Sequence, residues 1–331
     1  MERGKKGLQM HIHLPNSAFL GNCENFLRKY TAEKTNILHV TMHDKWVSVH
    51  PVFISLIAAL STHIHEQQGE VTVDIQQIRS LPYLIRMRLF DYLHVNPGIQ
   101  ITEHESSGRF IPLTQIKSNQ DLQKFITDVI PLLHSAPEYV TPIKYVISEL
   151  VRNVLEHSKS KNGAFVCAQY FKNTKRVGIG IADCGIGIRN AISASYKVNS
   201  DEQALTLALT PGITGTTRKL GGTEANAGAG LFFVKGIAKI SRNFFMLYSG
   251  SSTFKLRKTP RKEDVVLHTD PLQDFKRFWR EVPHFPGTAV GVDVAAENHA
   301  EFEKLLNTIY KVYRLDVRNK NKAKYKKAKF I

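Results

Sequence analysis

Two residues one helical turn apart supply the first candidate chemistry of this chain. Glu149 and Asn153 are four residues apart in the segment 147–158, so a helix there places both side chains along one edge. Mg²⁺ prefers oxygen ligands and fills its shell with water and phosphate oxygens, so the Asn153 amide is a candidate metal ligand. The Glu149 carboxylate is a candidate general base for a water or hydroxyl that attacks a phosphate. His157, one turn further, is expected to pack or cap.

A second motif follows an apolar strand. Asp183 comes directly after the run 177–182 and is followed by Gly185 and Gly187. A carboxylate at a strand end can accept a hydrogen bond from the exocyclic amine of adenine. Glycines let the backbone turn sharply and approach a planar base closely. The motif therefore predicts an adenine position at Asp183, with the two glycines beside the ligand.

A third motif opens a helix. Gly228 and Gly230 precede an apolar helical run, and the unpaired N–H groups and dipole of a helix N-terminus attract phosphate. The preceding segment 211–222 is rich in glycine and threonine, which indicates a flexible lid. Lys219 in that segment is a candidate phosphate contact, and a solvated loop residue is the equal alternative. The Walker pattern is absent from the sequence, so a P-loop site is excluded.

The three motifs in this order predict a site for ATP and Mg²⁺. Residues 110–295 resemble the GHKL, or Bergerat-fold, ATPase family, which includes the ATP domains of gyrase B, heat-shock chaperones, mismatch-repair proteins and histidine kinases. Glu149 and Asn153 match the N box of that family. The motif that begins at Asp183 matches its G1 box, and Gly228 and Gly230 match its G2 box. Thr288, after Pro286 and Gly287, resembles a late Gly-Thr element whose threonine supports the adenine-binding aspartate.

This resemblance implies an α/β fold of the Bergerat type, a sandwich in which helices cover one face of a mixed sheet. The residues themselves predict a helix capped by Thr141 with Pro142 at its first position, and a short helix capped by Ser200. Alternating or continuous apolar runs predict the strands, and an amphipathic run predicts a closing helix at 296–312. The predicted strands of this region are 164–171, 177–182, 243–248, 253–257, 265–268 and 288–294.

The N-terminal part predicts a smaller α/β domain. Strands at 36–42 and 71–75 alternate with helices at 52–65 and 84–93. The order loosely resembles the STAS family of regulatory modules, although the phosphoacceptor turn of that family is missing and Ser80 is a poor substitute. We expect three parts: a small regulatory domain at 1–107, the ATP-binding domain at 108–296, and a C-terminal helix with a basic tail at 297–331.

The activity is left open among three alternatives. Histidine kinases usually carry asparagine where this chain has Glu149, so a classical histidine kinase is not expected. A slow ATPase that works as a conformational switch is the first alternative. A protein serine/threonine kinase of the anti-sigma type is the second, because the segment 149–158 looks closest to that branch. A non-catalytic ATP-sensing scaffold for a protein or nucleic acid is the third.

Composition limits the setting and the partners. The chain has 331 residues, a formal net charge of +16 and three cysteines without zinc or disulfide spacing. No apolar run reaches the length of a membrane span, so we expect a cytoplasmic protein. We also expect a protein partner and consider a homodimer. Residues 311–331 hold nine Lys or Arg against one Asp. That tail is either a solvated terminus or a surface for nucleic acid.

Overall fold

The computed structural model describes residues 9–32, 35–99, 110–129, 137–213, 229–295 and 299–326. These residues form two β-sheets with helices packed against them, which confirms the predicted α/β class. Both predicted domain boundaries, near 107 and 296, lie outside the described residues. The predicted phosphate contacts Lys219 and Gly228 also lie outside them.

The first sheet belongs to the N-terminal part of the chain. Its elements are β1 Met10–Leu14, α1 Glu24–Leu27, β2 Tyr30–Thr31, β3 Ile37–Met42, α2 Pro51–Glu66, β4 Glu70–Val73, α3 Leu81–Arg86 and α4 Leu89–Leu93. The strand order is β2-β1-β3-β4, with β1, β3 and β4 parallel and β2 antiparallel. The predicted strands and the helix at 52–65 are confirmed. The predicted helix at 84–93 is divided, because Arg88 has a left-handed backbone with φ of 61°.

The second sheet carries the three motifs. Its elements are β5 Phe110–Ile116, α5 Asn119–Lys124, α6 Pro137–Asn153, β6 Ala164–Phe171, β7 Arg176–Asp183, α7 Gly187–Ser193, α8 Asp201–Ala208, α9 Gly230–Ile240, β8 Phe245–Leu256, β9 Lys276–Ala295 and α10 His299–Lys326. The strand order is β5-β6-β7-β9-β8, and every described pairing is antiparallel. The prediction of a mixed sheet here is wrong. A short turn joins β6 to β7, and a connection of that length makes neighbouring strands antiparallel.

Both faces of the second sheet are covered, so the prediction of helices on one face is also wrong. On one face, apolar residues such as Val166, Ile179 and Val292 pack with α6, α9 and α10. On the other face, α2 of the N-terminal part lies against β6 and β7. The approach is so close that a Cβ at Gly180 would lie 2.2 Å from the backbone nitrogen of Val52. Glycine at position 180 of β7 thus leaves room for the helix α2.

Several predicted boundaries differ from the structure. The helix α6 begins at Pro137 and contains Pro142, so Thr141 is not its N-cap. Proline is favourable at a first helical position, and Pro137 occupies that position instead. The predicted strands 243–248 and 253–257 are one continuous strand, β8, and no strand forms at 265–268. The closing helix continues to Lys326, well past the predicted end at residue 312.

Candidate functional site

The helix α6 presents Glu149 and Asn153 beside its buried stripe. Val146, Ile147 and Leu150 are buried against the sheet, which fixes the rotation of the helix. Glu149 keeps 28% of its side-chain surface exposed and so lies at the edge of that stripe. After Asn153 the chain continues in one π-helical turn, Val154–Ser158. His157 lies in this turn, 26% exposed, with Nε2 3.8 Å from Glu156 Oε2.

Gly230 brings the third motif against the first. A Cβ built at Gly230 would lie 2.9 Å from Glu149 Oε2 and 3.1 Å from Asn153 Nδ2. These distances are shorter than ordinary van der Waals contact, so a larger residue at position 230 would displace the Glu149 and Asn153 side chains. A carboxylate and an amide therefore meet the N-terminus of an 11-residue helix, as the motifs predict. The N–H groups at such a terminus have no partner within the helix.

Glu149, Asn153 and Gly230 form a corner between α6 and α9, and two observations describe its electrostatics. Burial raises the pKa of Glu149, the nearby positive charge of Arg152 opposes that rise, and the negative charge of Glu156 adds to it. Arg152 Nη1 lies 4.0 Å from Glu149 Oε1. The Asn153 Nδ2 atom is buried and finds no hydrogen-bond acceptor among the described residues. A raised pKa makes Glu149 a stronger proton acceptor, and the orphaned amide nitrogen is a donor available to an anionic ligand.

Asp183 is the second buried group of the site. Asp183 is 1% exposed and is the last residue of β7. The Gly185 N–H donates to Asp183 Oδ1 at 2.7 Å. Burial raises the pKa of Asp183 to about 7, an effect that the backbone N–H groups of Gly185 and Thr288 partly offset. An isolated buried carboxylate is costly in water-free surroundings, and such perturbed groups are concentrated at functional sites.

The glycines after Asp183 allow the turn to pack tightly. A Cβ at Gly185 would lie 2.1 Å from the carbonyl oxygen of Ser158, so only glycine fits there. The same carbonyl accepts a hydrogen bond from the Ile186 N–H at 2.7 Å. Gly187 has φ of +71°, in the left-handed region that favours glycine. The end of the first motif is thus hydrogen-bonded to the second, which links the segment of Glu149 directly to that of Asp183.

Thr288 stands directly opposite Asp183 in the pairing of β7 with β9. Its hydroxyl lies 3.5 Å from Ser249 Oγ, and its backbone N–H stabilises the Asp183 carboxylate together with that of Gly185. Ser249 Oγ donates to the Gly287 carbonyl at 2.6 Å and accepts from the Ile188 N–H at 3.0 Å. Sequence reasoning missed Ser249 and Ser158. Ser249 stands in no motif and Ser158 is only the last residue of the first one. Each acts through contacts between distant segments, which the sequence does not reveal.

The described residues offer few other candidate sites. They contain no group of three or more His, Cys, Asp or Glu that could hold a metal, which leaves the single amide of Asn153 as the predicted ligand. All three cysteines are free thiols. An open groove beside α8 is lined by Lys197, Val198, Asn199, Ser200, Glu202, Gln203, Thr206, Leu207 and Leu272. None of the predicted site residues lines that groove, so it does not bear on the motifs.

Comparison of the chain with family models, with curated proteins and with solved structures gives no match. The case for a nucleotide site therefore depends on the geometry of the motifs. In the part of the chain that the structure describes, no helix is long and apolar enough to cross a membrane.

Proposed function

We propose that the chain binds ATP with Mg²⁺ in the cytoplasm and acts as a slow ATPase whose turnover drives a conformational switch. The observation that carries this proposal is the contact of Gly230 with Glu149 and Asn153. It sets a general base and a metal ligand beside a helix N-terminus, where phosphate is favoured. A Bergerat-type arrangement of the three motifs, on the antiparallel sheet described above, belongs to the same proposal.

Each residue of the corner has a defined task in this proposal. Asn153 would hold Mg²⁺ through its side-chain oxygen, and its orphaned Nδ2 would donate to a phosphate oxygen. The bound metal supplies neutralisation of phosphate charge. Glu149 orients a water molecule and takes its proton as the new O–P bond forms and the bond to the ADP leaving group breaks. The pKa of Glu149, raised by burial, suits this proton transfer.

Adenine recognition is assigned to the second motif. Asp183 would accept a hydrogen bond from the exocyclic amine of adenine, and its ionised form is the better acceptor. Gly185 and Gly187 allow the tight turn that sets Asp183 at the end of its strand, and Thr288 supports the carboxylate from the neighbouring strand. Guanine has a carbonyl at the corresponding ring position, so the proposal includes a preference for ATP over GTP.

Incubation with γ-labelled ATP tests the activity. Wild type is compared with Glu149→Gln, and Glu70→Gln is the matched control because it removes an equal charge from an exposed residue of β4, on the other sheet. We expect slow release of labelled phosphate that is lost in Glu149→Gln by about 100-fold and kept in Glu70→Gln. Loss in both variants would contradict the general-base role.

The same experiment distinguishes the other two activities. Label on an added or copurifying protein, lost in Glu149→Gln, would replace the ATPase by a serine/threonine kinase. Binding of ATP without release or transfer of phosphate would leave an ATP-sensing scaffold, with the N-terminal part and the basic C-terminal region as the surfaces for its partner.

A further inference from the structure

The β8–β9 hairpin extends beyond the second sheet and carries an unusual set of side chains on one face. Thr253 is paired with Trp279, and Lys255 with Arg277. One step further, the Arg257 N–H donates to the Phe275 carbonyl at 2.8 Å. Side chains alternate between faces along a strand, so these three cross-strand pairs project from the same face.

Cations and aromatic rings alternate on this face. The guanidinium of Arg257 lies 4.4 Å from the ring centre of Phe275, and that of Arg277 lies 5.0 Å from the ring centre of Trp279. Lys258 Nζ lies 4.7 Å from the ring centre of a neighbouring phenylalanine. We call this set the cation–aromatic face; its members are Phe244, Arg257, Lys258, Phe275, Arg277 and Trp279.

The end of the face at Lys255 is structural, whereas the end at Arg257 and Phe275 is open to solvent. Lys255 is buried, donates to the Gly21 carbonyl at 2.5 Å and pairs with Glu24 at 3.5 Å, which anchors the hairpin to the N-terminal part. Phe275 is 41% exposed, and Arg257 and Arg277 are exposed.

The positive charge of the open end is not neutralised by ion pairs. Among the described residues, Arg257, Lys258 and Arg277 form no salt bridge with a carboxylate. The exposed ring of Phe275, the half-buried ring of Trp279 and the guanidinium planes therefore share one surface. The nearby carboxylates of Glu24 and Asp293 offset its positive charge only in part. The whole chain, with its net charge of +16, adds a long-range attraction for anions.

We propose that the cation–aromatic face binds single-stranded nucleic acid. Planar rings and guanidinium groups stack on the π-faces of bases, which are available when bases are unpaired, and the cations contact phosphates. An acidic polypeptide would satisfy the charges of this surface but would gain nothing from its planar groups. This surface is distinct from the ATP corner, so its test does not depend on the proposed function.

A tryptophan reporter tests the stacking directly. The chain has two tryptophans, Trp46 and Trp279, so Trp46→Phe in the full-length protein leaves Trp279 as the sole reporter. Oligouridine and oligothymidine of about 12 nucleotides are titrated separately, which distinguishes RNA from DNA as the source of the strand. We expect binding of at least one of them to quench Trp279 fluorescence. Binding without a change in Trp279 emission, or no binding, would overturn the proposal.

A matched pair of double variants tests the location. Arg257→Gln/Arg277→Gln removes two charges from the face, and Arg318→Gln/Lys322→Gln removes two from the exposed side of α10. We expect the first variant to lose about tenfold or more in affinity, with a slope of log affinity against log salt shallower by about 1.4. The second variant should keep most of its affinity. An equal or larger loss in the second would move the binding site to the basic helix and refute the proposal.

The kind of partner is tested by competition. Poly-glutamate of comparable charge should displace the oligonucleotide poorly from wild type, because it offers no base to stack. Displacement as efficient as that by unlabelled oligouridine would instead identify an acidic protein as the partner. Trp279→Leu should weaken oligonucleotide binding by about tenfold while leaving the affinity for poly-glutamate unchanged.

Discussion

Replacing Asp183 by asparagine is predicted to stabilise the protein while weakening the proposed binding of ATP. The carboxyl of Asp183 is 1% exposed, and burial raises its pKa from the usual 3.8 to about 7. Below pH 3.8 the group is protonated in both the folded and the unfolded chain. Between pH 3.8 and about 7 the unfolded chain loses this proton while the folded chain keeps it, so the free energy of unfolding falls as pH rises.

The magnitude follows from the size of the shift. At ~1.4 kcal/mol per pKa unit, a rise from 3.8 to about 7 makes ionised Asp183 cost on the order of 4 kcal/mol of stability above neutral pH. Asparagine has no ionisation cost and can still accept the bond from the Gly185 N–H. The Asp183→Asn variant should therefore unfold at higher denaturant concentration than wild type at about pH 8, and the difference should shrink toward about pH 4.

Denaturant unfolding without nucleotide and isothermal titration with ATP measure the two effects. The control is Asp44→Asn, which neutralises a carboxylate whose side chain is 72% exposed. It should change neither the pH dependence of stability nor ATP affinity. A variant Asp183→Asn that is less stable than wild type at about pH 8 would refute the argument about buried charge. Undiminished affinity for ATP in that variant would refute the assignment of Asp183 to adenine.

Three further substitutions test other parts of the structure. Gly230→Ala sets a methyl group 2.9 Å from Glu149 Oε2, so ATP affinity in titration calorimetry should fall by about tenfold with little loss of thermal stability; unchanged affinity would contradict the corner. Lys235→Met removes the partner of the buried Asp274 carboxylate at 2.5 Å and leaves it only Lys239 at 3.7 Å, so the free energy of unfolding should fall by about 3 kcal/mol in urea, and adding Asp274→Leu should restore part of it. Gly180→Ala should lower the melting temperature more than Gly98→Ala, because its methyl group would overlap the backbone of α2; equal effects would contradict the tight packing.

The local parts of the fold could be predicted from the sequence, because their signals lie within a few residues. The helix of Glu149 and Asn153, the strand that ends at Asp183 and the Ser200 cap are of this kind, and the structure confirms all three. The contact of Gly230 with that helix was implied by the order of the motifs.

The missed features depend on partners far away in the chain. The length of β9, 20 residues, arises from its pairing with both β7 and β8, and the run 265–268 is apolar without finding such a partner. Ser249 joins the site only because β8 lies beside β9. No periodicity within β7 reveals that α2 will cover its second face, since glycines there are equally compatible with a turn or a bulge.

The contact between α2 and the glycines of β7 also bears on how the protein folds. The face of the second sheet beneath α2 contains large buried residues, among them Phe165, Met246, Tyr248 and Phe285. A fragment that starts at residue 108 would expose this face to water and would aggregate or lose its fixed packing. We therefore expect the strand that ends at Asp183 to unfold together with the N-terminal part, which connects that part to the proposed nucleotide site.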